Sequence, residues 1–477
     1  MCDCHKHEKR CCKKKCVKKY VIKSLPYVID KPGQYCLCKD FTWTLNETNS
    51  GITVLNTENV VLDFKQKKIT VVKPDPIPDP EPVYLPTVLA QNSIDVVFQN
   101  VHLEAVDAAV NTAPGLHIFD CANVNVRSPY FINMGEFFDN AALRVSTSSD
   151  VNVSKLILEN FTSGLFHYGI VFDNVNKFTM TEAQVLGSVV YFTNSKNGDI
   201  LRCQVNNLEA DNLNRGIVIE SDNVEPGIIS SNIRVAECNI RVKDWYGIWV
   251  ADFGEPVFEP EFASQNIVIE NNAILADEGG SPFPGTGIYL QITSDVVVRN
   301  NKIQVSGEAN PDFGATAAIS IYDSSRCAVE NNSVTCVKGA QLGIEIFGDD
   351  TLPSISSANT IRGNVVSSDN TGLEGITLFS DSLGFIKYNT IDRNVVNCFD
   401  VGYTDSNVAE CTLFSNNIAN GNVSNYLINT ADPVKSVRIN NIEGCNKPLP
   451  PATEPEPQLK VKSKPRKREP VPKRERK

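Results

Sequence analysis

Two groups of residues in this chain have types and spacings that suit chemistry. Asp222, Asp252, Asp323, Asp349, Asp350 and Asp381 each follow a short Gly-Ile or Ala-Ile strand pattern. Carboxylates gathered on one edge suit the acid/base pair of glycoside hydrolysis, or the all-oxygen coordination of Ca²⁺ in a lyase. Like charges held close also raise one another's pKa, as acid catalysis requires. Asp323, Asp349, Asp350 and Asp381 are the catalytic candidates. An aspartate at a strand exit also caps its own turn, a structural role that accounts for each residue separately. Near them Trp245, Tyr246, Trp249, Tyr289 and Glu345 are the ligand-binding candidates. Adjacent aromatic faces suit the apolar faces of sugar rings, unless the 253–263 insertion, with Phe258 and Phe262, folds over them. The second group is Cys2, Cys4, His5, His7, Cys11, Cys12 and Cys16. Thiolates and imidazoles so dense suit Zn²⁺ or Cu⁺, and the surrounding lysines lower thiol pKa values. The spacing is that of no standard zinc module, so disulfides or an unliganded tail stay open as alternatives. Apart from that Zn²⁺ site, no cofactor is expected.

The elements that position these residues repeat. Gly115-Leu-His-Ile, Ala142-Leu-Arg-Val and Gly169-Ile-Val-Phe start 27 residues apart, twice in succession. Eight residues after each start comes a second pattern: Asn123-Val-Asn-Val, Asp150-Val-Asn-Val and Lys177-Phe-Thr-Met. The first pattern returns at Gly216, Gly247, Gly287, Ala318, Gly343 and Gly375, with spacings of 31, 40, 31, 25 and 32 residues. Asn pairs recur as Asn271-Asn272, Asn300-Asn301, Asn331-Asn332 and Asn416-Asn417. Each unit reads as two or three short strands with alternating apolar positions and Gly/Asn/Asp/Ser turns, without helical periodicity. One unit cannot bury its apolar face alone; stacked copies can, as parallel sheets. The units predict about 13 to 14 coils, and stacked asparagines that hydrogen-bond along the rod. A β-sandwich, the competing all-β arrangement, explains the unit length poorly.

Alternation aims every second residue outward. The outward positions are His117, Arg144, Val171, Val190, Val218, Trp249, Tyr289, Ser320, Glu345 and Thr377. Lys31-Pro-Gly-Gln-Tyr-Cys-Leu, Gly51-Ile-Thr-Val and Asn59-Val-Val-Leu-Asp-Phe resemble the opening coils of right-handed parallel β-helix repeat proteins, the pectin-lyase-like group with its NosD-type repeats. Where that family continues with an Asn-Gly turn, Lys65-Gln66-Lys67-Lys68 stands here. The resemblance covers roughly residues 25–445 and implies an all-β, single-stranded right-handed solenoid. It implies little about activity, because the same coil serves lyases, hydrolases, phage tailspikes and inert scaffolds. The Asp-Asp, Gly-His-Gly and Arg-x-Lys constellation of polygalacturonase-like hydrolases is not found in the sequence, nor is a clear pectate-lyase arginine motif, although Arg326 follows Asp323 closely.

Charge divides the chain in the same way. Residues 1–23 carry nine Lys/Arg against two acids, and 446–477 eleven against four, each a balance of +7. The remaining 25 bases and 50 acids leave the body at −25. The expected organisation is a Cys/His/Lys-rich tail over 1–24, a β-helix over 25–445 and a disordered Pro/Lys/Arg-rich tail over 446–477. An acidic body argues against nucleic acid along the rod and leaves the tails as the place for it, or for an acidic protein surface. Fifteen cysteines in no regular framework, and no apolar segment behind the N-terminus, argue for reduced thiols and against a secretory signal. No membrane span is expected. The features suit a structural or surface-binding rod in the cytoplasm or in the particle of a large virus, with homotrimers compatible. Its face would bind a glycan or a protein. The alternative is a polysaccharide hydrolase or lyase.

Overall fold

The computed structural model describes residues 18–444, apart from 75–83, 107–113, 136–139, 161–167, 209–214, 222–228, 244, 253–263, 278–284, 308–315, 349–354, 381–385, 406–408 and 429–435. Among the described residues every element is a strand, from two to seven residues long. All but three of them, which pair in a short sheet of their own, form three long parallel sheets, visited in turn by each coil. Sheet 1 has 15 strands, such as Ile52–Leu55; sheet 2 has 17, such as Glu58–Asp63; sheet 3 has 15, such as Ile69–Val72. Crossovers between parallel strands of one sheet are right-handed, which sets the hand of the coil. Pairing starts at Lys19–Ile22, which lies in register against Gly33–Leu37. The solenoid therefore begins upstream of residue 25, where the sequence pattern placed its start. The reason is that Tyr20 and Ile22 already alternate inward, and Tyr20 stacks on Tyr35 with ring centroids 4.7 Å apart.

The core is one continuous column of Val, Ile, Leu and Phe from Ile22 to Ala419. β-branched side chains dominate it because they fit a pleated surface that is packed on its inner face. Corners are turned by residues in the left-handed region. Between sheets 1 and 2, pairs three residues apart, such as Asn92 with Asp95 and Asp120 with Asn123, hold φ between 50 and 56°. Asn and Asp tolerate this conformation best among residues with a Cβ. The Lys65-Gln66 turn has φ of 48 and 65° without glycine and closes with Lys67 N donating to Phe64 O at 2.9 Å.

The Asn pairs divide two tasks at the corner between sheets 2 and 3. Asn271, Asn300, Asn331 and Asn416 take the left-handed φ, between 54 and 57°. Their successors turn inward and stack. Asn301 Nδ2 donates to Ile269 O at 2.9 Å and to Asn332 Oδ1 at 3.0 Å, and the Asn301 amide donates to the same oxygen at 2.9 Å. The pattern runs from Asn272 through Asn301, Asn332, Asn364, Asn394 and Asn417 to Asn441. The Gly of the Gly-Ile motif has a close-approach role: a Cβ on Gly247 would lie 2.6 Å from both Gly287 O and Ile274 Cγ2.

Candidate functional site

Sheet 1 carries the site. Ile248/Val250, Ile288/Leu290, Ile319/Ile321, Ile344/Ile346 and Ile376/Leu378 all point into the core. Alternation then turns Val218, Trp249, Tyr289, Ser320, Glu345 and Thr377 outward, and the ladder puts them in one column. A second outward column stands two residues on: Glu220, Ala251, Gln291, Tyr322, Phe347 and Phe379. Rings of the two columns join into a strip along the solenoid. Tyr246 stacks on Tyr289 at 4.7 Å; Tyr289 and Tyr322 are 6.1 Å apart; Tyr322–Phe347 and Phe347–Phe379 stack at 5.0 and 5.4 Å. Exposure grows along it. Trp249 points outward yet is buried at 4%, the covered alternative that the sequence left open, whereas Phe379 is 42% exposed. Tyr246, Tyr289, Tyr322 and Phe347 are half-buried.

The polar groups of the strip are few. Ser320 Oγ donates to Glu345 Oε2 at 3.0 Å. Burial pushes the Glu345 carboxyl up to about 7 against that hydrogen bond, and Glu374 adds like-charge repulsion. Burial also holds the Tyr289 phenol well above its ordinary range. Asp323 lies buried at the turn after Tyr322, at φ 47°, its amide donating to Phe347 O at 3.1 Å. Arg326 does not join it: the guanidinium grips Asp295 through Nε–Oδ1 at 2.8 Å and Nη2–Oδ2 at 2.7 Å. Asp252 is buried at the exit of its strand. Asp222, Asp349, Asp350 and Asp381 lie outside the described residues, as do the Cys2–Cys16 ligand candidates and insertion 253–263. Among the described residues no cluster of three or more His, Cys, Asp or Glu is placed to hold a metal ion.

A family model described as "Right handed beta helix region" matches residues 227–334, in agreement with the three parallel sheets. The described residues fold as a right-handed parallel β-helix. Solved structures similar to this β-helix include the A-module of Azotobacter vinelandii mannuronan C-5 epimerase AlgE4, at 11% identity and TM-score 0.44 over 80% of this chain and 90% of that one. The Streptococcus pneumoniae surface protein and adhesin PfbA aligns at 13% identity and TM-score 0.41, over 88% and 91%. The Dettilon tailspike protein gp208 does so at 13% and 0.38, over 81% and 61%. At TM-scores under 0.5 these likenesses say nothing of what this chain binds. Among curated protein sequences none matches.

Several residues of the face were not evident from the β-helix sequence pattern. Tyr191, not Val190, occupies the outward column beside Val171, because the pairing shifts register between Tyr168 and Ile170. Val190 faces the core instead. Tyr322, Phe347 and Phe379 follow the same alternation as Tyr289 and were legible by extending it one step. Arg215 gave no signal: it precedes the motif glycine Gly216 and reaches the rings only through the fold. His117 and Arg144 are in register with each other on coils away from Trp249, and Arg144 faces Asp173 at 3.5 Å. The described geometry provides a flat, apolar, ridged surface with one carboxyl that changes charge near neutrality.

Proposed function

We propose that this β-helix is a structural or surface-binding protein that holds a glycan on the outer face of sheet 1. The observation carrying this reading is the ring strip Tyr289–Tyr322–Phe347–Phe379, whose neighbours stand 5.0 to 6.1 Å apart along the axis. The rings stack on one another, so their outward edges form a continuous apolar ridge for the C–H faces of sugars, while Ser320, Glu345 and Gln291 offer hydrogen bonds beside it. An extended polysaccharide aligned with the solenoid would meet one ring per coil. In the same reading the basic ends, 1–23 and 446–477, anchor an acidic rod to an acidic partner surface, in the cytoplasm or in a virus particle. Calorimetry of the full chain against a panel of neutral polysaccharides tests the face. Phe347→Ala should weaken binding by about tenfold, the worth of one stacked ring. Equal affinity of wild type and Phe347→Ala for every ligand that binds would remove the strip from the account.

One observation favours a second reading, that of a polysaccharide hydrolase or lyase. A carboxyl raised to about 7 beside stacked rings suits a general acid at neutral pH. Its test is reducing-end release across the same panel by wild type and Glu345→Gln. Activity present in the first and lost in the second would favour catalysis.

A further inference from the structure

Arg215 stands where the ring strip begins. Its guanidinium carbon lies 4.0 Å from the ring centroid of Trp249 and 4.8 Å from that of Trp245. Nε is buried without a hydrogen-bond partner, and burial lowers the pKa of the group. The acid on the same coil, Glu220, accepts the hydroxyl hydrogen of Tyr191 and offsets part of the Arg215 charge from a distance. A cation removed from water is costly unless matched, and stacking on two indoles offsets only part of the cost. The guanidinium fork is shaped to receive two oxygens of one anion. The charge around it is of the opposite kind. Strands Ile217–Ser221, Tyr246–Asp252, Thr286–Gln291, Ala317–Tyr322, Leu342–Gly348 and Glu374–Ser380 contain Glu220, Asp252, Glu345 and Glu374, and no Lys, Arg or His.

We infer that Arg215 is the binding site for a single oxyanion, carboxylate or sulfate, borne by an otherwise neutral glycan that lies on the ring strip. This rests on the glycan reading and narrows it. A polyanion is disfavoured on the ring strip, because its further charges would meet acids on strands that hold no Lys, Arg or His. Arg144 lies three coils back, on the other side of Arg215.

Trp245 and Trp249 are two of the three tryptophans in the chain, so indole fluorescence of the full protein reports on the site. Titrations with sulfate and with acetate, against chloride at matched ionic strength, should give a saturable change. Arg215→Met should abolish it, and Arg215→Lys, which loses the fork, should weaken it at least about tenfold. Glucose sulfate and methyl glucuronide should each bind at least about tenfold tighter than the bare anion, and trigalacturonate less tightly than methyl glucuronide. No saturable response in wild type, or an unchanged one in Arg215→Met, would overturn the site. Sugar-borne and bare anions binding equally would overturn the glycan as its carrier, as would tighter binding of trigalacturonate. If Arg215→Met does not fold by circular dichroism, the wild-type and Arg215→Lys titrations decide alone. An anion response that survives while the ring variants keep full polysaccharide affinity would sink the strip and leave the site. The reverse pattern would sink the site and leave the strip.

Discussion

Glu345 should make this β-helix less stable as pH rises. Its carboxyl is held at about 7 against an ordinary 4.5, chiefly by burial among the residues facing it. Those are Ser320 on one neighbouring coil, Thr377 and Glu374 on the other, and Tyr289 beyond. The sign follows from linkage. Below the unfolded value both states carry the proton and the group contributes nothing. Between 4.5 and about 7 the folded chain holds a proton that the unfolded chain has lost, so stability declines as pH rises. Above that window the full penalty, about 3 kcal/mol, is present. Glu345→Gln keeps the shape and an acceptor for Ser320 and removes the charge. The variant should match wild type in urea at about pH 4 and be more stable by about 3 kcal/mol at about pH 8. Only the difference between the two proteins is read, so other titrating groups cancel. Wild-type and variant curves running parallel over the whole pH range would refute the reasoning.

Three further outcomes follow from packing. Asn332→Ala deletes the Oδ1 that accepts from the Asn301 backbone amide and from Asn301 Nδ2, and the Nδ2 that donates to Val298 O and Asn364 Oδ1; chemical denaturation should show a loss of about 3–6 kcal/mol, against about 1 kcal/mol for Asn441→Ala at the half-buried end of the ladder. Gly198→Ala would place a Cβ 2.0 Å from Phe178 Cζ, and should cost about 1–3 kcal/mol or more, with Phe178→Leu recovering most of it in the double variant. The paired Arg326→Ala and Asp295→Ala changes should each lower the unfolding free energy by less than about 1 kcal/mol, since Arg326 is 49% exposed.

The architecture was legible because its causes are local. A repeat of Gly-Ile-x-Ile with an Asn or Asp eight residues on states the alternation, the corner and the stack, and register then follows from packing like on like. The column Trp249–Tyr289–Ser320–Glu345 could be read the same way. What escaped was whatever departed from the period. The register shift near Tyr168 exchanged Val190 for Tyr191. The position of Arg215 over two indoles depends on a side chain that reaches across coils, which no single unit encodes. Burial of Trp249 also lay beyond the pattern: alternation says which way a side chain points, not what lies over it.

The central claim is that a ligand lies lengthwise on the outer face of sheet 1. Crystals of the full chain soaked with a neutral oligosaccharide from the panel address it directly. Sugar rings packed against the outward edges of Tyr322, Phe347 and Phe379, with the chain running parallel to the solenoid axis, are the expected result. A bound oligosaccharide seated on sheet 2 or sheet 3, with these three rings bare, would contradict it.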